Sequence, residues 1–155
     1  MDFEELLQAI LTLNAEDALR ARLSPEHWRV IAPYLSRHDL RTGDLLIKQG
    51  DVERSMYFLG RGSLQVFVSG GVPGVHRIAI LRAGAVVGEP GLFGEVQRMA
   101  NVEAMTPGVA WALRGPRFDE LAARSPALAF ELLRAAGLVM ATRMRANLAR
   151  QVPFS

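Results

Sequence analysis

The sequence contains no cysteine, which excludes disulfide bonds and thiolate metal sites and fits a cytoplasmic protein. Lys48 is the only lysine, so arginine supplies nearly all of the positive charge. The formal net charge of +2 is too small to indicate nucleic acid binding by itself. No apolar run approaches the length of a membrane span, and the acidic start at Asp2, Glu4 and Glu5 differs from a basic signal sequence. We therefore expect no membrane contact.

Groupings of residues typical of catalysis are also missing. The three histidines, His27, His38 and His76, are scattered, and none lies at metal-ligand spacing with a carboxylate or another histidine. A metal-binding jelly roll of the cupin type needs such a histidine cluster. Glu89 and Glu95 form no acid pair with a recognisable nucleophile, and we interpret Glu95 as solvated. The sequence therefore predicts a protein that is not an enzyme and holds no metal or cofactor.

What is present indicates one domain with many turns. The chain has 155 residues, of which 50% are hydrophobic, and it includes 14 glycines and 8 prolines. This size allows one substantial core, and frequent turn residues favour a body of short antiparallel strands. We expect a single domain over residues 1–155, with helices in 1–36, a β-roll in 37–114 and helices in 116–150.

The hydrophobic period changes along the chain from helical to alternating and back to helical. Ser24-Pro25 marks a helix start, with Ser24 as the cap. Helices are predicted over residues 3–13, from Ser24-Pro25, over 116–121, and from Ser125-Pro126 to about Arg150. Strands are predicted near 38–41, 44–48, 55–60, 63–69 and 77–82, with two more in 100–105 and 109–113. Arginines near the chain end, including Arg143, are interpreted as solvated charges at a helix C-terminus.

The stretch from Val87 to Ala104 has the composition of an anion-binding turn. Gly88 permits an unusual backbone angle, and Pro90 suits the first position of a short helix. The free N–H groups of that helix, together with the guanidinium of Arg98, would favour a phosphate. Glu89 would repel the phosphate at contact range, so its carboxylate is better matched to a neighbouring sugar hydroxyl. Phosphate and ribose together indicate a nucleotide.

The spacing within this stretch resembles the phosphate-binding cassette of cyclic-nucleotide-binding domains. That family shows Gly-Glu, eight or nine residues, and then Arg-Ser/Thr-Ala-x-Val-x-Ala; here Gly88-Glu89 is followed after eight residues by Arg98-Met99-Ala100-Asn101-Val102-Glu103-Ala104. Pro90 replaces the usual aliphatic residue, and Met99 replaces the small or hydroxylated one. The family includes kinase A regulatory subunits and the catabolite activator protein.

Turns outside the cassette carry the same resemblance, which extends from about Leu23 to Arg145. The matching segments are Gly43-Asp44, Gln49-Gly50-Asp51, Tyr57 to Leu59 and Gly62. The resemblance implies an α+β fold, a jelly-roll-like antiparallel sandwich called a β-roll, with N-terminal helices, a short cassette helix and C-terminal helices.

The resemblance also implies the residues of a ligand site. They are Gly88, Glu89, Gly91, Arg98, Met99 and Ala100. Glu89 would contact the ribose hydroxyl and Arg98 the phosphate, while the amides of Gly91 and Met99 would bind phosphate oxygens. Ala100 would line the pocket, and the ligand would be cAMP or cGMP. We expect cAMP to bind at least as well as cGMP, because Met99 has no hydroxyl to accept a bond from the guanine amino group.

By the same resemblance, the last helix would move toward the base and signal to an effector. Leu148 or Phe154 would serve as the hydrophobic lid. The effector would be a protein acting in trans or fused in a longer chain, and direct DNA binding is not expected because no helix-turn-helix segment follows. A homodimer is left open. The alternative is a domain of the same shape that has lost its ligand and acts as a protein-interaction module.

Overall fold

Two layers of strands packed on a layer of helices make up the molecule. A computed structural model describes residues 2–70 and 75–150. The helices are α1 Asp2–Thr12, α2 Pro25–Ile31, α3 Pro90–Phe93, α4 Gly115–Arg124 and α5 Pro126–Arg150, with a 3-10 turn at Ala32–Tyr34. The strands are β1 Ser36–Leu40, β2 Leu45–Ile47, β3 Val52–Glu53, β4 Ser55–Arg61, β5 Ser63–Ser69, β6 Val75–Arg82, β7 Val86–Val87, β8 Val96–Gln97, β9 Asn101–Ala104 and β10 Gly108–Arg114.

Antiparallel pairing arranges these strands in two four-stranded sheets. The first sheet has the order β1-β10-β4-β7, the second has the order β2-β9-β5-β6, and β3 pairs with β8 alone. The predicted β-roll with flanking helices is confirmed. The two-residue strands β3 and β8 were not predicted, because segments this short show no alternating pattern.

Strands β4 and β10 are buried on both faces, and their alternating side chains enter two separate cores. On one face, Phe58 and Trp111 pack with the helices. On the other face, Leu59 and Ala110 pack between the sheets. Successive side chains of a strand point to opposite sides, so each of these strands contributes to both cores.

The start of α2 agrees with the sequence prediction. Ser24 Oγ accepts a hydrogen bond from the His27 backbone N–H at 3.2 Å, and Pro25 occupies the first helical position. Trp28 and Ile31 then face the helical core. Among the described helices, none combines the length and the apolar character needed to cross a membrane.

Glu131 ties α5 to the connection between α1 and α2. Its carboxylate accepts a bond from the Arg22 backbone N–H at 2.6 Å and pairs with Arg134 at 2.6 Å. The hydrogen bond from Arg134, assisted by the Arg22 amide, lowers the pKa of Glu131 from 4.5 to about 2.

We predict that the protein loses stability in acid because the carboxylate of Glu131 becomes protonated. Because its pKa is lower in the folded state, its contribution is present above about pH 4.5 and is lost as the pH falls toward 2. Allowing for solvent screening, that contribution is about 1 to 2 kcal/mol. In urea unfolding at pH 6, Glu131→Gln should have a lower free energy of unfolding than the natural chain. Between pH 5 and pH 2, the free energy of unfolding of the variant should decrease less than that of the natural chain. Glu120→Gln, which removes an exposed partner of Arg117, is the control. An unchanged acid dependence in Glu131→Gln would contradict the prediction.

Candidate functional site

A tight turn follows β7 and leads directly into α3. Gly88 has φ +75°, in the left-handed region that glycine favours. The Gly91 N–H donates to Gly88 O at 3.0 Å, and the Leu92 N–H donates to Glu89 O at 3.0 Å. The turn is therefore closed by its own backbone, and Pro90 begins the helix as the sequence predicted.

Gly88 and Gly91 are required because other groups pack closely against them. A Cβ atom at Gly88 would lie 3.1 Å from Arg98 Nη1, and one at Gly91 would lie 2.6 Å from Ser55 O and 2.8 Å from Arg98 Nη2. These contacts leave no room for a larger residue at Gly91. The two glycines thus seat the guanidinium of Arg98 between the turn and the start of β4.

Arg98 is buried, and backbone carbonyls hold much of its guanidinium. Nη1 donates to Gly88 O at 3.0 Å, and Nη2 donates to Ser55 O at 2.6 Å. Nη2 also lies 3.2 Å from Glu53 Oε1, which is the charged partner of Arg98. This frame fixes the orientation of the planar guanidinium, which carries five N–H donors.

Glu53 accepts hydrogen bonds from two hydroxyl groups beside Arg98. Its Oε1 accepts bonds from Tyr57 Oη at 3.0 Å and from Ser55 Oγ at 3.3 Å. Burial, and then the charge of Glu53, raise the pKa of Tyr57, so its hydroxyl remains protonated and donates.

Glu89 is completely buried, and its charged partner comes from the last helix. Arg143 Nη1 donates to Glu89 Oε1 at 2.9 Å, and Arg143 Nη2 donates to Val86 O at 2.8 Å. Arg143 Nε donates to Asp17 Oδ2 at 2.8 Å. Burial raises the pKa of Glu89, and the charge of Arg143 opposes that increase. One arginine thus joins the turn, the last helix and the α1–α2 connection.

Two buried side-chain polar atoms lack a hydrogen-bond partner within the part of the chain that the structure describes. They are Glu89 Oε2, an acceptor, and Arg98 Nε, a donor. Buried polar groups are almost always paired, so unpaired ones indicate a function or a missing partner. Glu89 belongs to the turn that follows Gly88, and Arg98 packs against that turn.

A cavity of about 310 Å³ adjoins this turn. Its lining residues come from the α1–α2 connection, β5, β6, β7 and α5. They are Glu16, Asp17, Val66, Ile78, Ala79, Leu81, Val87, Thr142, Arg143, Ala146 and Asn147. Its volume is at the lower end of the range for small-molecule sites.

The structure brings some of the predicted site residues together and separates others. Gly88, Gly91 and Arg98 are in mutual contact, as described above. Met99 is 52% exposed, and Ala100 is buried in the core between the sheets. None of the six predicted ligand-site residues is in the cavity lining, which approaches the turn through Val87. Leu148 is 70% exposed on α5, and Phe154 lies outside the described residues.

Sequence reasoning missed three residues of the site. The interpretation of Arg143 as a solvated charge is wrong, because its side chain is only 13% exposed and is paired with two carboxylates. A signal was present: Arg143 follows Val139 and precedes Asn147 by four residues each, and all three lie on the packed side of α5. Asp17 and Glu53 lie in segments with no pattern that distinguishes them from surface acids.

Comparison with known proteins identifies a family. A family model described as the cyclic nucleotide-binding domain matches residues 37–125, more than half of the chain. The cGMP-dependent protein kinase of Plasmodium berghei is 24% identical over 118 residues, which are 74% of this chain and 13% of the kinase. The cAMP-dependent protein kinase regulatory subunit of Blastocladiella emersonii is 29% identical over 91 residues, which are 59% of this chain and 23% of that subunit. The chain thus spans less than a quarter of the length of either relative.

A solved structure extends the likeness to the fold. The cyclic nucleotide-binding domain from Methylobacillus flagellatus superposes with a TM-score of 0.81 at 23% identity, covering 96% of this chain and 81% of that one. Fold, cassette spacing and family match agree, and the chain belongs to the cyclic nucleotide-binding domain family.

Proposed function

We propose that this chain is a regulatory module without enzymatic activity that binds a cyclic nucleotide monophosphate, with cAMP bound at least as well as cGMP. The observation that carries this proposal is the pair of buried unpaired atoms, Glu89 Oε2 and Arg98 Nε. A sugar hydroxyl donates to the first atom, and a phosphate oxygen accepts from the second. Ribose and a cyclic phosphate supply both groups on one small anion.

The frame around Arg98 supports its role as the phosphate ligand. Bonds to Gly88 O and Ser55 O hold the guanidinium in place before a ligand arrives. A donor that is already oriented loses little conformational entropy on binding. We also propose that the amides of Gly91 and Met99 bind phosphate oxygens. The Gly91 amide would then be shared with Gly88 O, to which it donates in this structure.

Movement of α5 is the proposed signal. Thr142, Arg143 and Asn147 of this helix line the cavity, so its position and the occupancy of the cavity depend on each other. Leu148 or Phe154 would close over the base after the helix moves. The receiver would be a protein effector, acting in trans or fused in a longer chain, and no DNA contact is part of the proposal.

The proposed module spans residues 1–155, with helices in 1–36, the β-roll in 37–114 and helices in 116–150. The lack of cysteine fits a place in the cytoplasm.

A protein-interaction module without a ligand is the second candidate. The unpaired atoms of Glu89 and Arg98 argue against it, because keeping both of them buried without a partner is costly.

Calorimetric titration with cAMP, cGMP, 2′-deoxy-cAMP and a cyclic dinucleotide tests the proposal directly. We expect saturable binding of cAMP, weaker binding of the 2′-deoxy analogue and little binding of the dinucleotide. A linear nucleoside 5′-monophosphate is the control for charge alone. Absence of binding by every cyclic mononucleotide at millimolar concentration would favour the interaction-module alternative.

Base preference gives a separate prediction at Met99. Its thioether is only a weak acceptor, whereas a threonine hydroxyl at the same position can accept a bond from the guanine amino group. A neutral hydrogen bond contributes about 0.5 to 1.5 kcal/mol, so Met99→Thr should shift the affinity ratio toward cGMP by up to about tenfold. Competition titration measures the ratio, and Met99→Leu, which adds no hydroxyl, should leave it unchanged. An equal ratio in all three proteins would show that Met99 does not contact the base.

A further inference from the structure

We propose that Glu16 determines base specificity in the proposed nucleotide site: its carboxylate accepts a hydrogen bond from an amino group on the base. The inference rests on the proposed function, since it assigns a residue to the part of the ligand that Glu89 and Arg98 do not contact. It gives the connection between α1 and α2 a direct part in binding.

Two unlike surfaces line the cavity of about 310 Å³. The surface from β5, β6 and β7 is apolar and is formed by Val66, Ile78, Ala79, Leu81 and Val87. The other lining residues come from the α1–α2 connection and from α5, and most of them are polar. An apolar surface suits the flat face of a base, whereas a few placed polar groups fix its orientation through the edge that carries donors and acceptors.

Three charged side chains of the described residues line the cavity, and two of them are already paired with each other. Arg143 Nε donates to Asp17 Oδ2 at 2.8 Å, and Arg143 also pairs with the buried carboxylate of Glu89. Within residues 2–70 and 75–150, the carboxylate of Glu16 forms neither a hydrogen bond nor an ion pair. Glu16 is therefore the charged side chain of this lining that is available to a ligand.

A backbone turn holds Glu16 at the cavity. The Ala18 N–H donates to Ala15 O at 3.1 Å, which places Glu16 and Asp17 at the two central positions of the turn. Ala18 is buried, and the pair between Asp17 and Arg143 ties the turn to α5. The backbone of Glu16 is thus fixed by its neighbours, while its side chain remains exposed at the edge of the cavity.

The chemistry of the ligand identifies the group that Glu16 would contact. A carboxylate only accepts hydrogen bonds, and it repels a phosphate at contact range. In a 3′,5′-cyclic nucleotide one sugar hydroxyl remains, and the proposed function assigns that hydroxyl to Glu89. The other donors of the ligand are the N–H groups of its base. Adenine and guanine both carry an amino group, so the inference is independent of the preference between cAMP and cGMP.

Titration of Glu16→Ala with two ligands that differ in one group tests the proposal. The ligands are cAMP and the 3′,5′-cyclic monophosphate of purine riboside, in which hydrogen replaces the 6-amino group. Because the carboxylate is charged but exposed to water, the natural chain should bind cAMP about tenfold more tightly than the analogue. In Glu16→Ala this ratio should fall to about one. Loss of the negative charge affects both ligands alike, so the ratio isolates the contact with the amino group.

Glu26→Ala is the matched control, because it removes an equal charge from an exposed residue of α2 that does not line the cavity. This variant should keep the ratio of the natural chain, and circular dichroism verifies that both variants are folded. A ratio that does not fall in Glu16→Ala, with cAMP binding intact, would overturn the inference and leave the proposed function standing. Absence of binding of both ligands by the natural chain would overturn the two together.

Discussion

Replacing Arg98 by alanine is expected to weaken cAMP binding by roughly thirtyfold to a few thousandfold. In the proposed function, the substitution removes the charged partner of a phosphate that is held away from water, and such truncations cost about 2 to 5 kcal/mol. Calorimetric titration measures the effect directly. A dissociation constant equal to that of the natural chain would contradict the assignment of Arg98 to the phosphate.

The same substitution is also expected to reduce stability. Arg98 donates to the carbonyls of Gly88 and Ser55 and pairs with Glu53, and all three contacts would be lost. Glu53 is 35% exposed, so water can solvate its carboxylate after the substitution, and the loss of these bonds should cost about 1.5 to 3 kcal/mol. Circular dichroism therefore has to establish a temperature at which the variant is folded before its affinity is measured. Arg124→Ala, an exposed arginine at the end of α4, is the control for both measurements.

Gly91→Ala is expected to have the second large effect. Its new methyl group would lie 2.6 Å from Ser55 O and 2.8 Å from Arg98 Nη2, so the turn and the guanidinium would have to separate. Overpacking of a buried site costs about 1 to 3 kcal/mol in stability. Displacement of Arg98 should in addition reduce cAMP affinity by about a hundredfold, because the oriented donor is lost.

Gly94→Ala is the matched control, since nothing lies within 4 Å of a Cβ atom there. Its φ of 167° is extended backbone that alanine also adopts. Thermal unfolding and titration of the two variants separate the effect of the methyl group from the effect of losing a glycine. Equal affinities for Gly91→Ala and Gly94→Ala would show that the packing at Gly91 does not position the ligand site.

Local patterns explain why the fold could be predicted from the sequence. Ser24 and Pro90 mark helix starts through backbone chemistry that acts within a few residues, and the structure has helices at both places. The strands that the turns separate are long enough to alternate, except for the two-residue pieces. Glycine spacing also located the turn at Gly88 correctly.

The charged contacts of the site could not be predicted, because they join distant segments. Arg143 is 54 residues from Glu89 and 126 residues from Asp17. In the sequence it is one of several arginines near a helix end, where a solvated charge is common. The exposure of Met99 could not be predicted either, since the cassette spacing specifies the order of residues and not their solvent accessibility.

The sharing of β4 and β10 between the two cores has a thermodynamic consequence. Neither core can come apart without disrupting strands that the other needs, so the helices and the sheets should unfold in one cooperative transition. A nucleotide bound in the cavity between β5, β6 and α5, as proposed, would then stabilise the whole chain through mass action, although it would touch only part of it. Binding in this one small cavity would therefore raise the melting temperature of the helices and of both sheets together.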